Sequence, residues 1–256
     1  MKALFALIEK ECTEQFRTGK LMILGIIFVL FGIMNPAIAK LTPWLLEIME
    51  DSLSQSGMTV TTVTITAMDS WVQFFKNIPM ALIVFVLLEG NIFTREYASG
   101  TLILSLTKGL KRYKTVVSKG TVLLLLWTEG FWLCFAITYC YNAYFWDNSV
   151  AQNLLVSVLY WWVFGIFIIS VMILFSTLSR SSTGVLLCSG GIVFAMYIIG
   201  FVSEIKKYLP VMLTDANSLI YGTAEPKTYV GALVVALVTG VACLVFGIFA
   251  LNRKQL

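Results

Sequence analysis

The chain has 256 residues, 59% apolar and only 12% charged, where an ordinary soluble domain is roughly a quarter charged; this composition belongs in lipid. With 18 basic and 14 acidic residues the net charge of +4 is too small to argue for a nucleic-acid partner. Histidine is absent, which excludes Ser-His-Asp catalysis, His-ligated zinc or haem and imidazole proton relays, and with them most intramembrane hydrolases and cytochromes. No catalytic constellation and no metal-ligand set can be assembled. Cys12 lies in a charged segment, and Cys134, Cys140, Cys188 and Cys243 fall in apolar runs without a C-x-x-C pair, so they read as small buried apolar side chains. No G-x-x-x-x-G-K-[ST] run is present; if ATP drives this protein, another chain binds it.

In chain order, residues 1–19 come first. Leu4, Ile8, Cys12 and Phe16, with Phe5 beside them, recur every four residues, while Glu9, Lys10, Thr13, Glu14 and Arg17 occupy the other face. This periodicity predicts an amphipathic helix lying on the membrane surface as an anchor, and Gly19 lets the chain turn into the bilayer.

Uncharged runs of about 20 residues predict membrane spans. The first is 21–39. Its Ala37-Ile38-Ala39 resembles a signal-cleavage site, but Glu9, Glu11 and Glu14 precede it and the run exceeds a signal core, so an uncleaved span fits better. An exterior loop, 40–76, follows, with an acidic amphipathic stretch from Pro43 to Ser52 and a Thr-rich stretch from Thr59 to Thr66 that favours extended backbone. The remaining spans are 77–93, ending near Glu89; 121–145, containing Glu129; 154–178; 185–202; and 229–251. Trp44, Trp71 and Trp146 fall at outer span ends, as an aromatic belt requires. The expected fold is an all-α integral membrane protein: one transmembrane domain over 1–256, six helices preceded by an interfacial helix.

Thirteen of the 18 basic residues lie before span one, between spans two and three, after span four or after span six. By the positive-inside rule both termini are cytoplasmic, and no exterior segment is large enough for a receptor or enzyme domain.

The cytoplasmic loop 94–120 carries the most specific stretch. Arg95 and Glu96 leave span two, Gly100 can break a helix, and Thr101 to Thr107 can form a short helix whose Ile103, Leu106 and Leu110 share a side. Lys111, Arg112, Lys114 and Lys119 then lead back to the membrane, where they can snorkel to lipid head groups. Taken singly, Glu96 can equally pair with Arg95 or a neighbouring lysine, and Gly100 can be a plain helix cap. An apolar face in a charged loop marks a contact surface.

The run R-E-Y-x-S-G-T-L, the K-R about a dozen residues on, the Lys-Gly opening span three and S-W-V-Q-F-F-K-N before span two resemble the permease subunit of ABC-2 type transporters. The resemblance covers most of the chain. It implies a permease without a nucleotide-binding domain, working as a pair of copies, or with a paralogous permease, on two separate ABC ATPase subunits that carry ATP and magnesium, usually as an exporter in the bacterial plasma membrane. It implies that Arg95, Glu96, Gly100, Thr101, Leu102, Ile103 and Leu106 form the ATPase-coupling element, and that span five joins the dimer contact. Small-x-x-x-small pairs suit close helix packing: Gly191 with Ala195 in span five, favoured for the dimer, and Ala236 with Gly240 in span six. The chain itself needs no cofactor, and its other partner is membrane lipid. Apolar spans and thin exterior loops suit lipids, hydrophobic drugs or amphipathic peptides as substrates better than bulky polysaccharide. A secondary transporter or channel working without ATP is the rival from another class; the chain shows no broken-span repeat of the kind such transporters carry.

Two acids inside spans are candidates for a substrate path. Glu89 lies near the cytoplasmic end of span two, where it reaches the interface or pairs with a loop lysine. Glu129 is about 15 Å into span three, where a charged side chain costs roughly 2.5–3.5 kcal/mol on insertion scales. It is a neutral acid joining helices, or it faces water or a cationic substrate. Trp161 and Trp162 read as packing or lipid-facing aromatics. Glu129→Gln, which imitates the protonated acid, is therefore expected to assemble like the parent chain by yield and size-exclusion profile; failure to assemble would mean that an ionised carboxylate there has a partner.

Overall fold

The computed structural model describes residues 2–55, 64–101 and 111–253, and among them six helices are long and apolar enough to cross a membrane. Helix α1 (Lys2–Arg17) stops before Gly19, whose φ of 71° turns the chain into α2 (Lys20–Gln55). Helix α2 runs well beyond residue 39 through Pro36 and Pro43, so the acidic stretch expected in the exterior loop is a continuation of the first spanning helix. Of the Thr-rich stretch, Thr59 to Val63 lies outside the described residues.

Helix α3 (Ala67–Glu89) begins ten residues before the predicted second span, because Thr66 and Asp69 form a capping box in which the Thr66 N–H donates to the Asp69 carboxylate at 2.8 Å. A turn at Gly90 leads to the short α4 (Thr94–Ser99), closed by Gly100 with φ 69°. Helix α5 (Arg112–Phe145) is continuous, so the last lysines of the expected loop occupy its first turns. Helix α6 (Leu154–Leu178) matches its predicted span, and α7 (Ser182–Ile199) lies three residues before its own. The short α8 (Ser203–Lys206) and α9 (Ala216–Ile220) lead to α10 (Val230–Arg253).

The core is an aromatic stack between α2, α3, α5 and α6. The fully buried Trp127 meets Phe28, Phe85 and Phe131 at ring distances of 5.9, 5.7 and 5.4 Å, and its indole N–H donates to the Trp162 carbonyl. Trp71, expected in a lipid-facing belt, is fully buried against Phe74 and Phe135, with its N–H on Asn148; packing outcompetes the interface. Trp161 is buried and Trp162 partly exposed. A polar thread crosses the bundle: Asn77 donates to Asn35, Asn35 to Thr138 and Thr138 to the Gly32 carbonyl, the kind of bond that joins helices in lipid. Ala236 and Gly240 are buried where α10 packs on α6, with Gly240 against Ser170.

Arg112 donates to the Leu251 carbonyl, and the Tyr97 hydroxyl to the Thr177 carbonyl. The start of α5, α4, the end of α6 and the end of α10 thus meet at one end of the bundle, where α1 also packs on α5. The cysteines diverge from expectation: Cys134 is buried, but Cys140 and Cys188 are exposed on the isolated chain because helices in lipid need not cover apolar side chains.

A Cβ on Gly165 would lie 2.3 Å from the Trp127 ring, whereas one on Gly191 meets nothing within 4 Å. Gly165→Ala is expected to destabilise the purified chain by about 1–3 kcal/mol, as overpacking does, and Gly191→Ala not to lower its thermal midpoint, since open space receives the methyl group and Ala is the better helix former.

Candidate functional site

The surface of α1 decides the site. Residues four apart on a helix drift by about 40° per step, so the stripe Leu4, Ile8, Cys12, Phe16 does not stay on one face. Cys12 and Phe16 turn outward with Phe5, while Leu4 and Ile8 share a face with Glu11 and Gln15, the i, i+4, i+7, i+11 spacing. Glu11 is 4% and Gln15 6% exposed. The helix therefore presents a polar pair to the protein and apolar side chains away from it.

Against that pair lies Lys119, expected to snorkel to lipid but 1% exposed, because two carboxylates receive it. Its Nζ stands 2.7 Å from Glu11 and 3.2 Å from Glu96. Glu96 also accepts from Lys10 at 2.9 Å, and Lys10 lies 3.3 Å from Glu11. Arg95 is exposed and reaches Glu14 at 3.8 Å. Beside this group Glu89 is fully buried, accepting from Gln15 at 2.7 Å and pairing with Lys20 at 3.3 Å; its lysine comes from the start of α2 and not from the loop. Four carboxylates, Glu11, Glu14, Glu89 and Glu96, thus meet four cations, Lys10, Lys20, Arg95 and Lys119.

Burial works against the Lys10 ammonium, but its hydrogen bond to Glu96 and the charges of Glu11 and Glu96 outweigh burial and hold its pKa above the usual lysine range. Carboxylate oxygens of Glu11, Glu14 and Glu96 lie within 4.8 Å of one another, a spacing a metal could use; ammonium groups already stand among them. Buried charges at this density are stable only when all are paired.

This cluster seats the beginning of the loop on α1 and α5. Thr94 bonds Ser182 at 3.0 Å, fixing α4 to the start of α7. Gly100 adopts the left-handed conformation and Thr101 bonds Ser99. Leu102, Ile103 and Leu106 lie outside the described residues.

The other sequence candidates do not join this site. Glu129 sits on the exposed face of α5, outside the bundle interior. Gly191 and Ala195 are exposed on α7, with open space at Gly191. Sequence reasoning did not find a groove of about 410 Å³ between α3, α6 and α7, lined by Leu82, Val86, Phe164, Ile168, Ser189 and Phe194 among others. Among the described residues the Ser189 hydroxyl is buried there without a hydrogen-bond partner, as those of Ser70, Thr115 and Ser176 are elsewhere, while Ser170, Thr128 and Thr239 bond a carbonyl one turn back. Glu11 and Gln15 among the apolar positions of α1 were the signal for the charge cluster. Nothing local in the sequence signals the groove.

A family model described as ABC-2 family transporter protein matches residues 5–254. No curated protein matches the chain.

Removing one partner from a buried ion pair costs about 3–5 kcal/mol, whereas an exposed pair is worth about 0–1 kcal/mol. Lys119→Ala is therefore expected to destabilise the purified chain severely in denaturant titration, and Lys10→Ala, whose side chain is 51% exposed, only slightly.

Proposed function

The chain belongs to the ABC-2 family of transporter proteins, and we propose that it is the permease subunit of an ATP-driven exporter, forming the substrate pathway as a pair of permeases in a bacterial plasma membrane while separate ATPase subunits bind ATP and magnesium. It is a multi-pass membrane protein. The observation that carries the ATPase-coupling reading is the seating of Glu96 between Lys10 and Lys119. A force applied by an ATPase to the loop that follows would be delivered through these pairs to α1 and α5 together, and not dissipated in a free loop. The exposed α7, with its small Gly191 and Ala195, supports a role in the contact between permeases, since a small stripe allows backbones to approach.

The groove between α3, α6 and α7 supports an apolar or amphipathic substrate. Its walls are almost wholly hydrocarbon and its volume falls in the range of ligand sites. The unpartnered Ser189 hydroxyl offers one polar anchor to a molecule otherwise held by apolar contact. ATP hydrolysis belongs to the partner in this reading; the chain itself is not an enzyme.

The test uses the permease co-expressed with a candidate ABC ATPase subunit and reconstituted in vesicles. Gly100→Leu is expected to reach the membrane normally and Glu96→Ala, which strips a carboxylate from the buried Lys119, to do so at lower yield, and both are expected to lose most of the substrate-stimulated ATPase activity. The Leu at position 100 adds strain of about 1–2 kcal/mol in the left-handed region. Full transport by both variants would refute the coupling role, and failure to copurify any ATPase would refute the permease reading.

A further inference from the structure

Glu129 is the feature that the permease reading leaves unused. It lies on α5 about 15 Å beyond Lys119, in the middle of the hydrocarbon layer if the charge cluster marks its edge. One turn to either side, Leu125 and Leu133 are 48% and 42% exposed, so this face looks toward lipid and away from the bundle. Glu129 is itself exposed and has no hydrogen bond or ion pair among the described residues.

Its surroundings are aromatic. Trp132 follows three positions later and so neighbours it on the helix surface. The Trp132 ring lies 6.4 Å from that of Trp162 on α6, and the Trp162 N–H donates to Thr128 at 3.2 Å, which fixes both tryptophans at the depth of Glu129. Both rings are partly exposed. An acid inside a span marks a place where a partner or a pathway is expected, and tryptophan faces are the aromatic surfaces that bind cations best.

We propose that Glu129, Trp132 and Trp162 form a membrane-facing recognition site for a lipophilic cation, a molecule with one delocalised or alkyl-shielded positive charge that partitions into the bilayer. Charge complementarity selects this occupant: a carboxylate attracts a positive partner, and among the described residues no Lys or Arg pairs with Glu129. A neutral lipid tail would leave the carboxyl unbonded. The site is separate from the apolar groove and needs no ATPase.

The full chain in nanodiscs of palmitoyl-oleoyl phosphatidylcholine tests it, with labelled tetraphenylphosphonium measured by equilibrium dialysis and empty discs subtracted. The expected result is saturable binding of one cation per chain, weakened at least tenfold by Glu129→Gln and at least threefold by Trp132→Leu, with displacement by unlabelled tetraphenylphosphonium and none by neutral triphenylphosphine oxide. Absence of saturable binding to the parent chain, displacement by triphenylphosphine oxide, or unchanged binding by Trp132→Leu or Glu129→Gln would each overturn the proposal. Because no ATPase is present, these outcomes are independent of the permease reading.

Discussion

Lys119 cannot be where it is without Glu11 and Glu96. An ammonium group 1% exposed is tolerated only where carboxylates compensate its lost hydration, and those two come from different parts of the chain: the N-terminal helix and the segment leaving α3. The pair distances of 2.7 and 3.2 Å therefore bind three elements in one register. Glu89, Gln15 and Lys20 extend the constraint to α2 and the end of α3. What reads in the sequence as an amphipathic anchor is a helix that turns Glu11 and Gln15 to the protein and leaves Phe5 and Phe16 exposed.

The rest of the bundle follows the logic of lipid as solvent. Apolar side chains gain nothing from burial against other apolar side chains when hydrocarbon is the alternative, so helices meet through shape and polar bonds. Gly165 leaves room for the Trp127 ring and Gly130 for the Phe28 ring; α10 lies on α6 through Ala236 and Gly240; Asn35, Asn77 and Thr138 tie α2, α3 and α5. Helix α7 is the exception. Few of its residues are buried, it borders the apolar groove, and its small residues remain open, all of which suits an element completed by another chain or by substrate.

Much of this was legible in the sequence, for a physical reason. The length and apolarity of a span are set by the bilayer, so α6 was located to the residue and α10 within two. The ends that went wrong lie outside the hydrocarbon, where capping governs: Thr66 and Asp69 start α3 early, and α2 and α5 continue as helix through residues that read as loop. The loop motif pointed to Glu96 and Gly100, and the structure gives both a definite local role. Partners were not legible. Lys119 carries the pattern of a snorkelling lysine, and only the fold brings it between acids 23 and 108 positions away. Glu129 was found as an anomaly, but its outward direction depends on which face of α5 the aromatic core takes.

Charge reversal within the cluster tests the central claim most directly. In the reconstituted complex, transport would be measured for Lys119→Glu, for Glu11→Lys and for Lys119→Arg, which keeps the charge. If these pairs hold the loop, α1 and α5 together, each reversal places like charges side by side in a buried site and abolishes transport, and Lys119→Arg, still between Glu11 and Glu96, retains a substantial part of it. Transport by Lys119→Glu alone at the parent rate would contradict the claim.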